Sequence, residues 1–154
     1  MSFDRGYSTG MRIVGGQFRG RRISVPREGV RPTSERVREA LMSMFSAQWS
    51  GAHVLDCYAG SGAFGFEALS RGAERVTFIE RHSRTAQMIK AAAQDLEVTS
   101  QVDVIRDNAE AALRALTRQR QQYDVLFFDP PYAESHPIEV LSSAFVLAKA
   151  GAVL

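Results

Sequence analysis

The sequence predicts an α/β fold whose parallel sheet is covered by helices on both faces. Three observations carry that expectation. From residue 53 onward, short β-prone runs alternate with amphipathic helical stretches. The first of these strands leads into a glycine-rich turn, Gly60-Ser61-Gly62-Ala63-Phe64-Gly65. A later apolar run, Tyr123 to Phe128, ends in Asp129-Pro130-Pro131-Tyr132. Strands joined through helices pair in parallel, and the connecting helices bury both faces of the sheet.

The elements follow in order. Residues 1–10 read as disordered. Arg12 to Gly16 and Arg21 to Val25 are β-prone runs flanking Gln17-Phe18-Arg19-Gly20, which predicts a hairpin. Pro26 to Pro32 reads as loop. Thr33 or Ser34 caps a helix with Val37, Leu41, Met44 and Phe45 on its apolar face, and Trp49 packs beneath it. Strands are expected at 54–57, 75–80, 102–105 and 123–129, with helices at 63–70, 83–95, 109–120 and about 138–149. A fifth strand opens at Ala152-Val153-Leu154. Two regions result: a basic N-terminal arm with its hairpin, residues 1–32, and an α/β domain, residues 33–154. Because the sequence stops inside its fifth strand, it is expected to be a piece of a longer fold.

With 154 residues, 45% apolar and 23% charged, the chain has the composition of an ordinary globular domain. No apolar run approaches the roughly 20 residues of a membrane helix. The opening MSFDRGYSTG carries no apolar h-region of a secretory signal. A lone cysteine, Cys57, forms no internal disulfide, and a reducing cytoplasm is the plain reading. His53, His82 and His136 are not at metal-ligand spacing, so no metal is expected. Net charge is +2, but residues 1–40 hold nine arginines against four acids. A basic arm on a mildly acidic domain suits phosphates. Arginine outnumbers lysine seventeen to two, which fits forked phosphate contacts or a GC-rich genome equally well.

The glycine turn is ambiguous. It matches G-x-G-x-x-G, and Glu80 follows Gly60 by 20 residues, as in dinucleotide-binding enzymes. Its entry differs: Asp56 ends the strand and Cys57-Tyr58-Ala59 intervene, giving D-x-x-x-G-x-G, the spacing of S-adenosylmethionine enzymes. That cofactor has no pyrophosphate to cradle; it needs close backbone approach and carboxylates for its ammonium and ribose. Candidate contacts are Asp56, Tyr58, Ala59, Gly60, Ser61, Gly62, Glu80 and Arg81. After the third strand, Asn108 sits best to receive the adenine amino group, with Asp107 as the alternative, and Ala109 can offer a backbone N–H. A plain tight turn at the glycines, and helix capping at 107–108, are the bland alternatives.

The acid-proline-proline-tyrosine turn carries the chemistry. The lone pair of an exocyclic base amine is delocalised into its ring. Acceptors that draw on its hydrogens let the nitrogen rehybridise as it attacks. Asp129 and the Pro130 carbonyl are such acceptors, the prolines hold them rigidly, and Tyr132 can stack on the base. A capped strand-to-loop turn with Tyr132 in the core is the alternative.

Five segments now carry a resemblance: R-I-V-G-G-Q-F-R-G-R-R-I (12–23), R-P-T-S-E-R-V-R-E-A-L (31–41), V-L-D-C-Y-A-G-S-G-A-F-G-F-E-A-L-S-R-G-A (54–73), F-I-E (78–80) and D-P-P-Y (129–132). Together they resemble the RsmD-type bacterial methyltransferases, which modify a guanine N2 of 16S ribosomal RNA. The resemblance implies a Rossmann-like class I methyltransferase sheet with strand order 3-2-1-4-5, lacking the family's last two strands here, behind an N-terminal β-hairpin. It implies S-adenosylmethionine as methyl donor, and Asp129, Pro130 and Tyr132 as the catalytic turn. The implied partner is 16S ribosomal RNA or a small-subunit assembly intermediate, met by a monomer. Arg12, Arg19, Arg21, Arg22 and Arg27 would contact phosphates, and Arg31, Arg36 and Arg38 would line the mouth of the site. Asn108 departs from the Asp frequent in related enzymes.

Other classes remain to be separated. DNA adenine-N6 methylation shares the D-P-P-Y turn but usually needs a separate target-recognition domain. Protein glutamine methylation normally begins that turn with Asn. A dehydrogenase and a non-catalytic RNA-binding protein complete the set.

Overall fold

The computed structural model describes residues 7–26 and 34–154. Arg27, Arg31, the Pro26–Pro32 loop beyond Pro26, the Thr33 capping alternative and the disorder expected of residues 1–6 lie outside the described residues. Two strands, β1 (Tyr7–Arg12) and β2 (Arg22–Pro26), pair antiparallel with a register shift between Ser8 and Met11. The expected hairpin is therefore present, and its pairing reaches further toward the N-terminus than its sequence suggests. Tyr7–Gly10, read as disordered, are in strand, because Pro26 and Val25 pair with Tyr7 and Ser8 beyond the irregularity that precedes Met11. The turn between them is closed by Ile13 N–H to Arg21 O and Gly20 N–H to Ile13 O, each at 2.9 Å.

Helix α1 (Glu35–Met44) starts at Ser34, whose hydroxyl accepts the Val37 N–H. Its buried face is not the one its apolar residues predict. Val37 and Met44 are 50% and 71% exposed, while Arg38 and Met42 are buried. The Arg38 guanidinium turns the helix by drawing its own side inward. Its Nη2 donates to the Arg12 carbonyl at 2.9 Å and its Nε lies 3.8 Å from Glu67. A buried arginine needs such partners, and they were far away in sequence. Trp49 is buried below, donating Nε1–H to the Met42 carbonyl at 2.8 Å.

The main sheet holds β3 (His53–Cys57), β4 (Arg75–Ile79), β5 (Val102–Ile105), β6 (Tyr123–Phe128) and β7 (Ala148–Val153) in the order β5-β4-β3-β6-β7, all parallel. Counted along this sheet the order is 3-2-1-4-5, as the resemblance implies. Connecting helices are α2 (Ala63–Ser70), α3 (Ser83–Asp95), α4 (Ala109–Arg118) and α5 (Pro137–Ala144). Alternation along each strand sorts the core into two halves. Val54, Val76, Phe78 and Val125 face Ile13, Ile23, Met42, Phe66 and Ile89 on the side of the hairpin, α2 and α3. Leu55, Cys57, Ile79 and Leu126 face Leu113, Leu116 and Val140 on the side of α4 and α5.

The last helix ends five residues before its expected limit. A 3-10 turn takes Phe145–Leu147 and β7 begins at Ala148 rather than 152. The apolar spacing of Ile138 to Leu147 continues unbroken, so nothing in it marks the stop. Pairing of Ala148 with Tyr123, and of the Lys149 ammonium with Asp124 at 3.1 Å, draws the chain into the sheet early. Among the described residues no helix is long and apolar enough to cross a membrane.

Candidate active site

A cavity of about 740 Å³ opens at the C-terminal ends of β3, β4, β5 and β6. This is where parallel α/β sheets place their ligands, between loops that diverge on either side of the sheet centre. Cys57 on β3 sits opposite Phe128 on β6 and Ile79 on β4. The glycine turn, the Glu80 turn and the 129–135 loop thus leave the sheet side by side.

The glycine turn is held in place by both neighbours. Ala59 N–H donates to the Ile79 carbonyl at 2.9 Å, and Gly62 N–H to the Ala59 carbonyl at 2.8 Å. Gly60 and Gly62 have φ of 55° and 80°. At Gly62 a Cβ would press on Phe66 and Phe78, so glycine is required both by backbone and by space. Tyr58 also adopts φ 61°, which a non-glycine residue seldom takes.

Asp56, Tyr58, Ala59, Gly60, Ser61, Glu80, Arg81, Asn108 and Ala109 all line the cavity, as do Asp129, Pro130 and Tyr132. Gly62, the N-cap of α2, stands just behind this lining. Asp56 is buried and accepts the Gly65 N–H at 3.0 Å. Burial pushes its carboxyl well above the ordinary range. The Gly65 N–H opposes that shift, while the charges of Asp129 and Glu80 add to it. Glu80 accepts the Gly60 N–H through Oε2 at 2.9 Å and the His82 N–H through Oε1 at 2.8 Å. Asn108 caps α4, its Oδ1 accepting the Ala111 N–H at 2.9 Å. Asp107 Oδ1 accepts the Asn108 N–H at 2.8 Å. Capping is therefore the observed use of Asn108.

The Asp129-Pro130-Pro131-Tyr132 turn stands at the rim. Tyr132 is 96% exposed, which removes the alternative of a core tyrosine and leaves its ring face open. Pro131 O accepts the Glu134 N–H at 2.9 Å, closing the turn that follows. Below it, Phe127 and Phe64 stack with ring centroids 3.8 Å apart, forming an apolar wall. Asp107, the alternative to Asn108, also lines the cavity, and Phe127, Phe64, His82 and Glu134 are lining residues that the motifs did not single out. Strand alternation puts Phe127 on the same side as Asp129, which is a usable signal. For Glu134 no pattern in the chain announces its place.

The arginines divide. Arg12 pairs with Glu35 at 2.8 Å. Arg21 Nη2 donates to the Asp95 carbonyl at 2.7 Å, at the end of α3, and Arg22 Nη1 donates to the Gly10 carbonyl at 3.0 Å. Arg19 and Arg36 present exposed side chains. Arg38 is buried and does not line the mouth of the site. Among the described residues no group of three or more His, Cys, Asp and Glu is placed to hold a metal.

The model of the family described as "Conserved hypothetical protein 95" matches residues 11–154. The chain is 38% identical over 125 residues to the Bacillus subtilis protein named "Putative rRNA methyltransferase YlbH". It is 40% identical over 124 residues to ribosomal RNA small subunit methyltransferase D of Haemophilus influenzae. These alignments take in 80% and 79% of this chain, but 68% and 64% of the relatives, so the chain spans about two thirds of their length. Among solved structures, the Escherichia coli "Putative methyltransferase yhhF" superposes with a TM-score of 0.79 at 36% identity, over 90% of this chain and 74% of that one. The chain therefore belongs to the family of conserved hypothetical protein 95, the RsmD-type methyltransferases.

Proposed function

We propose that this protein methylates the exocyclic N2 of a guanine in 16S ribosomal RNA, with S-adenosylmethionine as donor. The observation that carries the reading is the meeting, in one cavity, of the D-x-x-x-G-x-G turn and the D-P-P-Y turn. One has the features of a cofactor site and the other those of an amine-acceptor site. RNA methylation by the relatives supports the substrate class; the guanine and its N2 rest on the resemblance and on the chemistry of the turn.

The cavity residues fit the donor. Five carboxylates line it, Asp56, Glu80, Asp107, Asp129 and Glu134, and they suit a ligand that carries a sulfonium and an ammonium. Bound there, S-adenosylmethionine supplies an electrophilic methyl group. Gly60 and Gly62 let the backbone come close, and Glu80 keeps lone pairs for ribose hydroxyls beyond those given to Gly60 and His82. Asp56 would receive the ammonium directly or through a water. The Ala109 N–H would meet the adenine ring, and Asn108, which keeps a second lone pair beside its cap, or Asp107 would take the adenine amino group.

At the rim, Asp129 Oδ and the Pro130 carbonyl accept the two amine hydrogens. Prolines at 130 and 131 carry no N–H, so the backbone here presents only acceptors to the incoming amine. Tyr132 stacks on the base and the Phe64–Phe127 wall excludes water from the reacting centre. Asp129 need not act as a strong base, since the product ammonium loses its proton readily to water. The target guanine must be unpaired or flipped to enter. Arg19 and Arg36, with Arg12, Arg21 and Arg22, supply sequence-independent phosphate contacts.

Methyl incorporation into small ribosomal particles lacking the modification, followed by mapping of the labelled nucleotide, tests this. Label on a guanine N2 is the expected result. Transfer only to duplex DNA would establish the adenine-N6 alternative, and binding of NADH without S-adenosylmethionine would end the methyltransferase reading.

A further inference from the structure

Two loops that leave adjacent strands are joined side chain to side chain over the cavity. Tyr58, in the glycine turn after β3, donates its hydroxyl to Glu134 Oε2 at 2.8 Å. Glu134 lies 76 residues later, in the loop after β6. Its other oxygen accepts the His136 N–H at 3.2 Å, and its own N–H closes the turn onto Pro131 O at 2.9 Å. Glu134 is thus the point at which the 129–136 segment is gathered and tied to the cofactor turn. Tyr58 reaches it from a left-handed backbone, φ 61°, a conformation that costs energy outside glycine and persists where the surroundings hold it. The turn on which Tyr58 stands is itself anchored to β4 through Ala59 and braced by Glu80. Asp129 and Tyr132 are exposed, and among the described residues no strand is paired with the loop that follows β6.

We propose that Tyr58 and Glu134 form a clasp that positions the Asp129–Tyr132 turn relative to the cofactor turn, so that filling the cofactor site orders the seat of the acceptor base. The proposal rests on the methyl-transfer reading of the same cavity. Tyr58 and Glu134 act here as a positioning pair: neither needs to touch the reacting nitrogen. Any shift of the glycine turn on ligand binding moves the Tyr58 hydroxyl, and with it the carboxylate that holds residues 131–136. Methyl transfer is sensitive to this because displacements of about 1 Å from in-line geometry cost on the order of a hundredfold in rate.

The test uses the full chain and the variants Tyr58→Phe, Glu134→Ala and Glu134→Gln. Amide hydrogen exchange of residues 131–136 is followed with and without S-adenosylhomocysteine, S-adenosylmethionine affinity is measured by calorimetry, and kcat and KM are measured on ribosomal particles. In Tyr58→Phe and Glu134→Ala, exchange in 131–136 accelerates, the added ligand no longer slows it, and kcat falls about tenfold, the order expected for loss of one hydrogen bond to a charged group. In Tyr58→Phe, which keeps the ring and every carboxylate of the cavity, affinity for S-adenosylmethionine falls less than kcat does; Glu134→Ala also removes one lining carboxylate and weakens affinity further. Glu134→Gln recovers most of the wild-type protection, because an amide still bonds a tyrosine hydroxyl. Combining Tyr58→Phe with Glu134→Ala adds nothing to the worse single variant, as a shared interaction requires. Unchanged exchange in Tyr58→Phe, or additive losses in the double variant, overturns the clasp. Failure of the wild-type protein to bind S-adenosylmethionine overturns the methyl-transfer reading instead, while the exchange of the ligand-free variants still reports on the clasp.

Discussion

Glu80 Oε2 accepts the backbone N–H of Gly60 at 2.9 Å, so the acid that ends one strand braces the glycine turn that ends its neighbour. The same carboxylate holds the His82 N–H at the start of α3. Glu80→Ala leaves both N–H groups without this acceptor. We expect a loss of about 1–3 kcal/mol in unfolding free energy and at least a tenfold loss of S-adenosylmethionine affinity. Chemical denaturation and calorimetry check the two effects. Full affinity in Glu80→Ala would show that the brace and the ribose contact are both dispensable.

Asp56 makes the stability of the fold depend on pH. Its folded-state carboxyl titrates well above the unfolded value because it is buried. Between those two values the folded protein holds a proton that the unfolded chain has released. Stability therefore falls as pH rises through that window, and the loss is complete above the folded value. Asp56→Asn keeps an oxygen for the Gly65 N–H and never ionises. Its Tm should exceed that of the wild type at pH 8, and the difference should close as pH is lowered toward the ordinary carboxylate range. Cofactor affinity should move the opposite way, falling in the variant, because the ammonium loses its counter-charge. Thermal melts across pH and calorimetry at pH 8 give both readings.

Asp129→Ala is expected to lower kcat by about 10²–10³, the scale of removing one preorganised group from a transition state, with RNA affinity preserved. Tyr132→Ala should lose the stacking energy of about 1–3 kcal/mol in kcat/KM, and Tyr132→Phe should lose little of it. Since Tyr132 is almost wholly exposed, neither change should alter Tm. Equal kcat of Asp129→Ala and wild type would remove Asp129 from the reaction, and absence of methyl transfer by both would leave RNA binding without catalysis.

The arginines separate by what they already hold. Arg19→Gln and Arg36→Gln are each expected to weaken RNA binding uniformly across sequences and to reduce the slope of log K against log salt by about 1. Arg21→Gln should also lower stability, because its guanidinium closes the end of α3 at Asp95. Filter binding at several salt concentrations, beside thermal melts, distinguishes the two groups.

Glu67 is buried, and its carboxylate accepts the Val14 N–H at 2.7 Å while facing Arg38. Removing it takes one carboxylate from the buried guanidinium and the acceptor from the Val14 N–H, and Glu67→Ala should cost about 3–5 kcal/mol. The same contact secures the hairpin to α2, so loosening of β1 by hydrogen exchange should accompany the loss. A change under 1 kcal/mol would mean that Arg38 escapes to solvent.

Much of this molecule is legible along the chain. Period-two and period-3.6 patterns are local properties, and they located the strands 102–105 and 75–79 and the helices 63–70 and 83–95 almost to the residue. The two motifs, D-x-x-x-G-x-G and D-P-P-Y, mark two turns at strand ends, because glycine frees the backbone for positive φ and proline fixes φ wherever they stand. What the chain alone does not show are the choices made between distant partners. The inward turn of Arg38 depends on Glu67 and the Arg12 carbonyl. The early start of β7 depends on Tyr123 and Asp124, and the use of Asn108 as a cap depends on where α4 begins. The Tyr58–Glu134 bond joins positions 76 apart that no periodicity relates. Local pattern is decided by residues a few positions apart. Burial of a charge and closure of a site are decided by whichever groups the sheet brings within hydrogen-bond distance, and only the tertiary structure names them.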